Sequence, residues 1–353
     1  MILTYLLPFL VTLFVSIILT PLVIRFAKKI KLIDDPKTHN HPALLHKNPI
    51  PRAGGLALFF ALVTGMIIFL PLNSVFLPII IGGTFVVVVG LLDDKYDLSP
   101  YLRFAANIFC ASIVVFSGAT IPYITNPLGG ILHFQNITFG IFGIGYSISL
   151  GSILAVVWIV WVMNMLNWSK GVDGQMPGIV VISSCIIGLA ALRFPVLTNM
   201  NIYTSQLSFM VAGASLGFLV YNFYPAKIFP GYSATILGFL LGILSLLSGV
   251  KLATALLVLG VPAADAFFTI IRRILSKKSP FWHDKGHLHH LLLKLGMGHR
   301  SIAIFYWLMS LFLGIFALNL SSRGKLFAII LVVVVVGAGI VTLKFLIRRG
   351  NKK

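Results

Sequence analysis

The chain contains no glutamate, and its acidic residues are eight aspartates set against 27 lysines and arginines in 353 residues. Only 10% of residues are charged, where a soluble domain of this length carries about 25%. Two cysteines, Cys110 and Cys185, both lie inside apolar runs. They read as small buried hydrophobes, which excludes a disulfide framework and a cysteine-based zinc cluster. Internal repeats, low-complexity segments and the short alternating strands of an outer-membrane barrel are also missing. What is present is apolar. The chain is 58% hydrophobic with a mean hydropathy of +1.02, and its apolar residues come in unbroken runs that suit a hydrocarbon core of about 30 Å.

These runs predict an all-α polytopic membrane protein of about eleven transmembrane helices, over 3–24, 54–71, 76–92, 103–118, 143–163, 177–192, 206–221, 230–247, 252–270, 302–319 and 327–346. Residues 2–24 are too long for a signal-peptide core and lack a basic flank and a clear cleavage site, so they read as a retained helix. Of the basic residues, 23 follow odd-numbered spans, and only Arg193, Lys251, Arg323 and Lys325 fall on the other side. The positive-inside rule then sets the N-terminus outside and the C-terminus in the cytoplasm. One integral-membrane domain, 1–353, is expected, with cytoplasmic loops 25–53, 93–102, 164–176, 222–229 and 271–301 and a tail at 347–353. The nearly uncharged loop at 119–142 allows a short re-entrant or interfacial segment. The concentrated positive charge serves topology and attracts anionic membrane lipids. Nucleic acid is excluded as a partner because no soluble domain presents a groove.

The aspartates gain nothing from topology. All eight (Asp34, Asp35, Asp93, Asp94, Asp97, Asp173, Asp265 and Asp284) fall on the basic side or in the adjoining half of a helix. A carboxylate near hydrocarbon is costly and marks a functional site. Asp93 and Asp94 end an apolar run. Like charges there repel unless a cation or proton is shared, and oxygen ligands suit Mg²⁺ held partly by phosphates. The plain alternative is a helix terminus. Asn164, Asn167, Lys170 and Asp173 form a second cluster, with glycines that permit close ligand approach; helix capping is its alternative. His287, His289 and His290, near Arg272, Arg273, Lys277 and Lys278, suit phosphate or base recognition. Their spacing matches no standard zinc signature, and a solvated basic loop is the plain reading. In the first loop, His46 through Gly55 enters span two past two prolines, with Arg52 as a candidate phosphate donor. Asp265 reads equally as a buried helix–helix contact.

Taken in chain order, these clusters resemble the polyprenyl-phosphate sugar-1-phosphate transferase family (glycosyltransferase family 4), and within it the undecaprenyl-phosphate N-acetylglucosamine-1-phosphate branch. The resemblance covers nearly the whole chain. It rests on Asp35 and Pro36, His46 through Gly55, Gly90 through Pro100, Asn164 through Gly174, Pro262 with Asp265, and the three histidines. It implies transfer of a sugar-1-phosphate, N-acetylglucosamine-1-phosphate in that branch, from a UDP-sugar to undecaprenyl phosphate. UMP is released and Mg²⁺ (or Mn²⁺) is the cofactor, for cell-envelope glycan synthesis in the bacterial cytoplasmic membrane. A homodimer is allowed. Carried over, Asp93, Asp94 and Asp173 are the catalytic and metal-binding residues. Arg52, Lys95, Asn164, Asn167, Lys170, His287, His289 and His290 bind substrate.

Two positions depart from the family pattern. Lys170 stands where the family has the first aspartate of an Asp-Gly-X-Asp-Gly motif, and Tyr232 stands where it has a metal-ligand aspartate. Either the site is rebuilt around Asp93, Asp94, Asp173 and Lys170, or the metal site is lost. The second case is a catalytically weakened homologue that binds carrier lipid or regulates another protein. A secondary transporter would show inverted repeats and mid-depth charges, and neither is present.

Overall fold

The computed structural model describes residues 2–36, 48–126, 129–140, 147–249, 252–280, 282 and 286–350. Its helices are α1 (Ile2–Lys29), α2 (Gly54–Phe69), α3 (Phe76–Tyr96), α4 (Pro100–Phe116), α5 (Leu150–Trp168), α6 (Gln175–Ala191), α7 (Asn199–Asn222), α8 (Thr235–Leu247), α9 (Leu252–Val258), α10 (Gly260–Leu275), α11 (Leu288–Lys294), α12 (His299–Asn319) and α13 (Ser322–Gly350). Helix stands in each apolar stretch that the sequence marks, but the count of eleven spans does not hold. Among the described residues, six helices are long and apolar enough to cross a membrane: α1, α3, α5, α7, α12 and α13. The reason is length. Helices α2, α4, α6 and α8 have 16, 17, 17 and 13 residues. At 1.5 Å per residue even the longer ones reach only about 26 Å, short of a core of about 30 Å.

The stretch expected as one span over 252–270 is two helices, α9 and α10, bent by 86° and making at most a seventh span. Gly260 opens α10, and Pro262, two residues on, has no N–H to return to the carbonyl of Val258; both features favour a break there. An orientation with the N-terminus outside and the C-terminus in the cytoplasm needs an odd number of spans, which seven would satisfy and six would not. The fold is all-α as expected, with short strand pairs in its loops. Short strands β1 (Ile33–Asp34) and β2 (Ile50–Pro51) pair antiparallel. The 119–142 loop supplies β3 (Tyr123–Thr125) and β4 (Ile131–His133), which pair with each other. It also supplies β5 (Thr138–Gly140), which pairs with β6 (Ser147–Ser149) ahead of α5. These strand pairs satisfy backbone groups of the loop's described residues.

Helix α7 runs buried through the bundle and packs closely along α1, where the Thr12 hydroxyl donates to the Met210 carbonyl at 2.9 Å and the Tyr221 hydroxyl to the Ile17 carbonyl at 3.2 Å. Helices α5 and α8 are joined by Trp158 Nε1 donating to Ser245 Oγ at 2.7 Å. Between polar partners of this kind, apolar side chains fill the interior, and small residues let helices approach. The exposed faces of α1 and α13 carry Ile, Leu, Val and Phe side chains, as surfaces that meet lipid do.

One backbone approach positions the rest. The N–H groups of Gly54 and Gly55 donate to the carbonyls of Phe229 and Pro230, each at 3.1 Å, and Phe229 N–H donates to Pro51 at 2.8 Å. The chain from 229 to 234 is thereby drawn in between α2 and α3. A Cβ at Gly55 would lie 2.1 Å from the Ser233 carbonyl carbon, and one at Gly90 would lie 2.3 Å from the Ser233 Cα. Both obstacles are backbone, so rotamer changes cannot relieve them. Gly55→Ala is expected to lower the melting temperature of the detergent-purified protein by several degrees, whereas Gly339→Ala, on open α13 surface, leaves it unchanged; thermal unfolding of the pair checks this.

Candidate functional site

Asp93 and Asp94 occupy the last turn of α3, and neighbours on a helix point about 100° apart. The two carboxylates therefore meet different partners. The Asp94 carboxylate is wholly buried and faces the 231–233 turn. Its Oδ1 accepts the Tyr232 N–H at 2.8 Å, and its Oδ2 accepts the Ser233 N–H at 3.4 Å and hydroxyl at 3.3 Å. Arg52 Nε lies 3.6 Å from Asp94, and the same guanidinium reaches Asp34 at 4.0 Å. Asp93 faces α4. It accepts the Leu98 N–H at 3.1 Å, and Arg103 Nη1 lies 3.2 Å away. Local sequence delivers Arg103: Asp97 takes a left-handed φ of 49° and ends α3, then Ser99 caps α4 by accepting the Leu102 N–H, with Pro100 opening the helix.

The loop after α5 joins the carboxylates to the histidines. Lys170 Nζ donates to the Gly231 carbonyl at 2.9 Å and sits 5.6 Å from the centre of the Tyr232 ring. Burial lowers the Lys170 pKa to about 8; Arg52 and Arg103 also push it down, against Asp94 and Asp93. Tyr232 is neutral, its phenol pushed to about 12 by burial, and its hydroxyl accepts from Asn107 Nδ2 at 3.1 Å. Asp173 accepts the Ala226 N–H at 3.0 Å. Gly174 is held by Asn222 Oδ1 at 3.1 Å and by Trp307 Nε1 at 3.1 Å. Gly171 lies against His289, where a Cβ would come 1.9 Å from Nε2.

His287 caps α11 with extended backbone, so its ring leaves the helix and stacks on His289 at 5.5 Å and 7°. His290 follows at 4.3 Å from His289. All three rings are buried. Asp265 orients the group: its Oδ2 lies 2.8 Å from His287 Nδ1, and its Oδ1 accepts the Leu288 N–H at 2.8 Å. Burial, with the neighbouring His290 and His287, holds the His289 pKa well below the imidazole range, so this ring is neutral. Its Nδ1, and the Oδ1 of Asn167, are buried without a hydrogen-bond partner among the described residues. Leaving such atoms unpaired costs about 1–3 kcal/mol each, which suits atoms that meet a ligand.

Of the residues expected from sequence, Arg52, Asp93, Asp94, Lys170, Asp173, Asn167, His287, His289 and His290 converge on the end of α5, the 169–174 loop and their neighbours. Two do not. Lys95 is exposed and lies over the Tyr96 ring at 5.3 Å. Asn164 donates to the Val160 carbonyl of its own helix at 2.8 Å. His46 lies outside the described residues. Sequence reasoning read Arg103 only as a topological charge, although the Ser99–Pro100 helix start was a legible signal that it turns back towards Asp93. It also missed Trp168, whose ring centre lies 6.2 Å from that of His287 and 5.3 Å from the Arg273 guanidinium. The expected Mg²⁺ does not fit this donor set. Asp93 and Asp94 are each engaged by a guanidinium and by backbone donors. Among the described residues no three His, Cys, Asp or Glu side chains group to hold a metal ion.

The buried Asp265–His287 contact organises α10 and α11. Asp265→Asn is expected to cost about 1–3 kcal/mol, while Asp97→Asn, whose side chain is 86% exposed, costs nothing measurable; denaturant or thermal unfolding checks both.

Comparison with known proteins gives the family. Residues 76–249 match the model of glycosyl transferase family 4. The chain is 34% identical over 322 residues to a probable undecaprenyl-phosphate N-acetylglucosaminyl 1-phosphate transferase of Bacillus subtilis, covering 89% of this chain and 84% of the relative. It is 30% identical over 347 residues to an undecaprenyl-phosphate alpha-N-acetylglucosaminyl 1-phosphate transferase of Thermotoga maritima, covering 96% and 97%. It is also 30% identical over 343 residues to a decaprenyl-phosphate N-acetylglucosaminephosphotransferase of Mycolicibacterium smegmatis, covering 87% and 80%. With its apolar helices this likeness makes the chain a multi-pass membrane protein, and it belongs to glycosyl transferase family 4, among the polyprenyl-phosphate sugar-1-phosphate transferases.

Proposed function

We propose that the chain transfers N-acetylglucosamine-1-phosphate from its UDP-sugar to undecaprenyl phosphate, at a site facing the cytoplasm of the bacterial inner membrane. The family supports phosphoryl transfer on a polyprenyl carrier. The observation that carries the reading to this site is the convergence of Arg52, Lys170, Asp173, Asn167 and His289 where α5 ends and the 169–174 loop begins. The sidedness rests on the basic residues that crowd this face.

In this reaction an oxygen of the lipid phosphate attacks the sugar-bearing phosphorus of the UDP-sugar. A new P–O bond forms, the bond to the bridging oxygen breaks, and UMP leaves with the electron pair. The work is alignment and charge stabilisation. Arg52 and Lys170 hold the phosphates and offset charge on the leaving UMP. Asn167 and His289 offer unpaired polar atoms to the nucleotide. Asp94 keeps Arg52 and the 231–233 turn in register, Asp93 does the same for Arg103, and Asp173 fixes the loop that carries Lys170. The alternative, a carrier-lipid-binding homologue without catalysis, is favoured by how fully Asp93 and Asp94 are engaged.

Purified protein supplied with labelled UDP-N-acetylglucosamine and undecaprenyl phosphate should form labelled lipid and UMP. Asp94→Asn and Lys170→Met should lower the rate at least tenfold. No product from any UDP-sugar, by protein that is folded and binds carrier lipid, removes the transferase reading and leaves the binding one. Lys170 loses its proton as pH rises through about 8. Carrier-lipid affinity should therefore fall between about pH 7.5 and 9.5, where the phosphate is already a dianion, and Lys170→Met should flatten that profile.

A further inference from the structure

The Gly231–Tyr232 peptide is gripped from two sides. Its carbonyl accepts the Lys170 ammonium at 2.9 Å, and its N–H donates to Asp94 Oδ1 at 2.8 Å. The approach is close, since a Cβ on Gly231 would lie 2.2 Å from Asp94 Oδ2. The Tyr232 ring fills the rest of this space, with Lys170 at 5.6 Å and Arg103 at 5.4 Å from its centre. An ammonium held by a carbonyl oxygen and an aromatic face, beside a buried carboxylate, is a cation in a built site.

The charges around it are already matched. Two buried carboxylates, Asp93 and Asp94, face three cations: Arg103, Arg52 and Lys170. Arg103 and Arg52 lie 3.2 and 3.6 Å from their partners. The other carboxylates in reach are Asp34 and Asp97, each 4.0 Å from one of these guanidinium groups, and Asp97 is 86% exposed. A divalent ion entering here would meet three fixed positive charges, with the oxygen donors it needs already hydrogen-bonded. Hard cations require several open oxygens at about 2.0–2.6 Å. An incoming phosphate or diphosphate would find guanidinium and ammonium donors already held in place, with little to reorganise.

We infer that Lys170 is this site's resident cation, standing in a divalent metal's place beside Asp94, so that the chain takes its phosphate-bearing substrates without a divalent ion. Arg52 and Arg103 complete the charge. The tyrosine at 232 belongs to the same exchange: its ring accommodates the lysine where a carboxylate would call for a metal. The inference rests on the substrate reading above only for the identity of the phosphate ligand.

The test reads metal binding directly. Mn²⁺ added to the purified, substrate-free chain should keep the electron paramagnetic resonance spectrum of the unbound ion. The double variant Lys170→Asp, Tyr232→Asp should bind about one Mn²⁺ per chain, and Lys170→Asp alone serves if the double variant melts abnormally. One Mn²⁺ held by the unaltered chain and released in Asp94→Asn would overturn the inference. So would a folded double variant, or the folded single variant used in its place, that takes up no ion. In the transferase assay, labelled-lipid formation should persist in excess chelator; its collapse there with full recovery on Mg²⁺ would also overturn the inference. A chain that makes no product in any condition defeats the transferase reading but leaves the Mn²⁺ measurement able to decide this one.

Discussion

Most of this site depends on how closely the backbone at Gly231 to Ser233 can approach α2 and α3. Glycines at 55 and 90 remove the Cβ atoms that would keep it out. The turn's N–H groups then end on Asp94, a buried carboxylate that accepts from Tyr232 and Ser233 at once. With the turn in place the Gly231 carbonyl is presented to Lys170, and Tyr232 offers its ring to both Lys170 and Arg103. Move that segment outward and the anchors of Arg52, Lys170 and Asp94 separate together.

Low dielectric explains why so many charges are paired here. A carboxylate removed from water is stable only with a cation, a proton or several hydrogen bonds. Asp94 has a guanidinium and two backbone donors, Asp93 a guanidinium and one, and Asp265 a histidine and one. The pairings also rigidify. They tie the end of α3 to the Leu98 loop and the 231–233 turn, and α10 to the start of α11. Asn167 and His289 each keep a buried polar atom without a partner among the described residues, in keeping with the ligand proposed for this site.

The membrane-spanning part shows the opposite economy. Helices of 13 to 17 residues sit among longer ones, and a bent pair replaces one expected span. Hydropathy sees only the apolar run, and a run reads alike whether the helix crosses the bilayer, stops short inside the bundle, or breaks at Gly260. Burial inside the protein satisfies an apolar segment as well as lipid does, which is why the count fell from eleven to six or seven while every helix remained.

By itself, the sequence determined the apolar character, the stretches that become helix, the basic face, and the residue types of the site. Those features follow from local composition and from motifs such as Gly90 through Pro100. It also exposed the two substitutions, Lys170 and Tyr232, that set this chain apart. Tertiary structure alone decided which of the residues meet. Lys95 and Asn164, equally plausible in the sequence, turn to an adjacent ring and to their own helix. Arg103, read as a topological charge, becomes the partner of Asp93 because a left-handed residue and a capped helix start reverse the chain between them. Lys170 and Tyr232, 62 positions apart in the sequence, become neighbours only because the 231–233 backbone is wedged between α2 and α3. Long-range proximity of that kind is set by packing, and no local pattern encodes it.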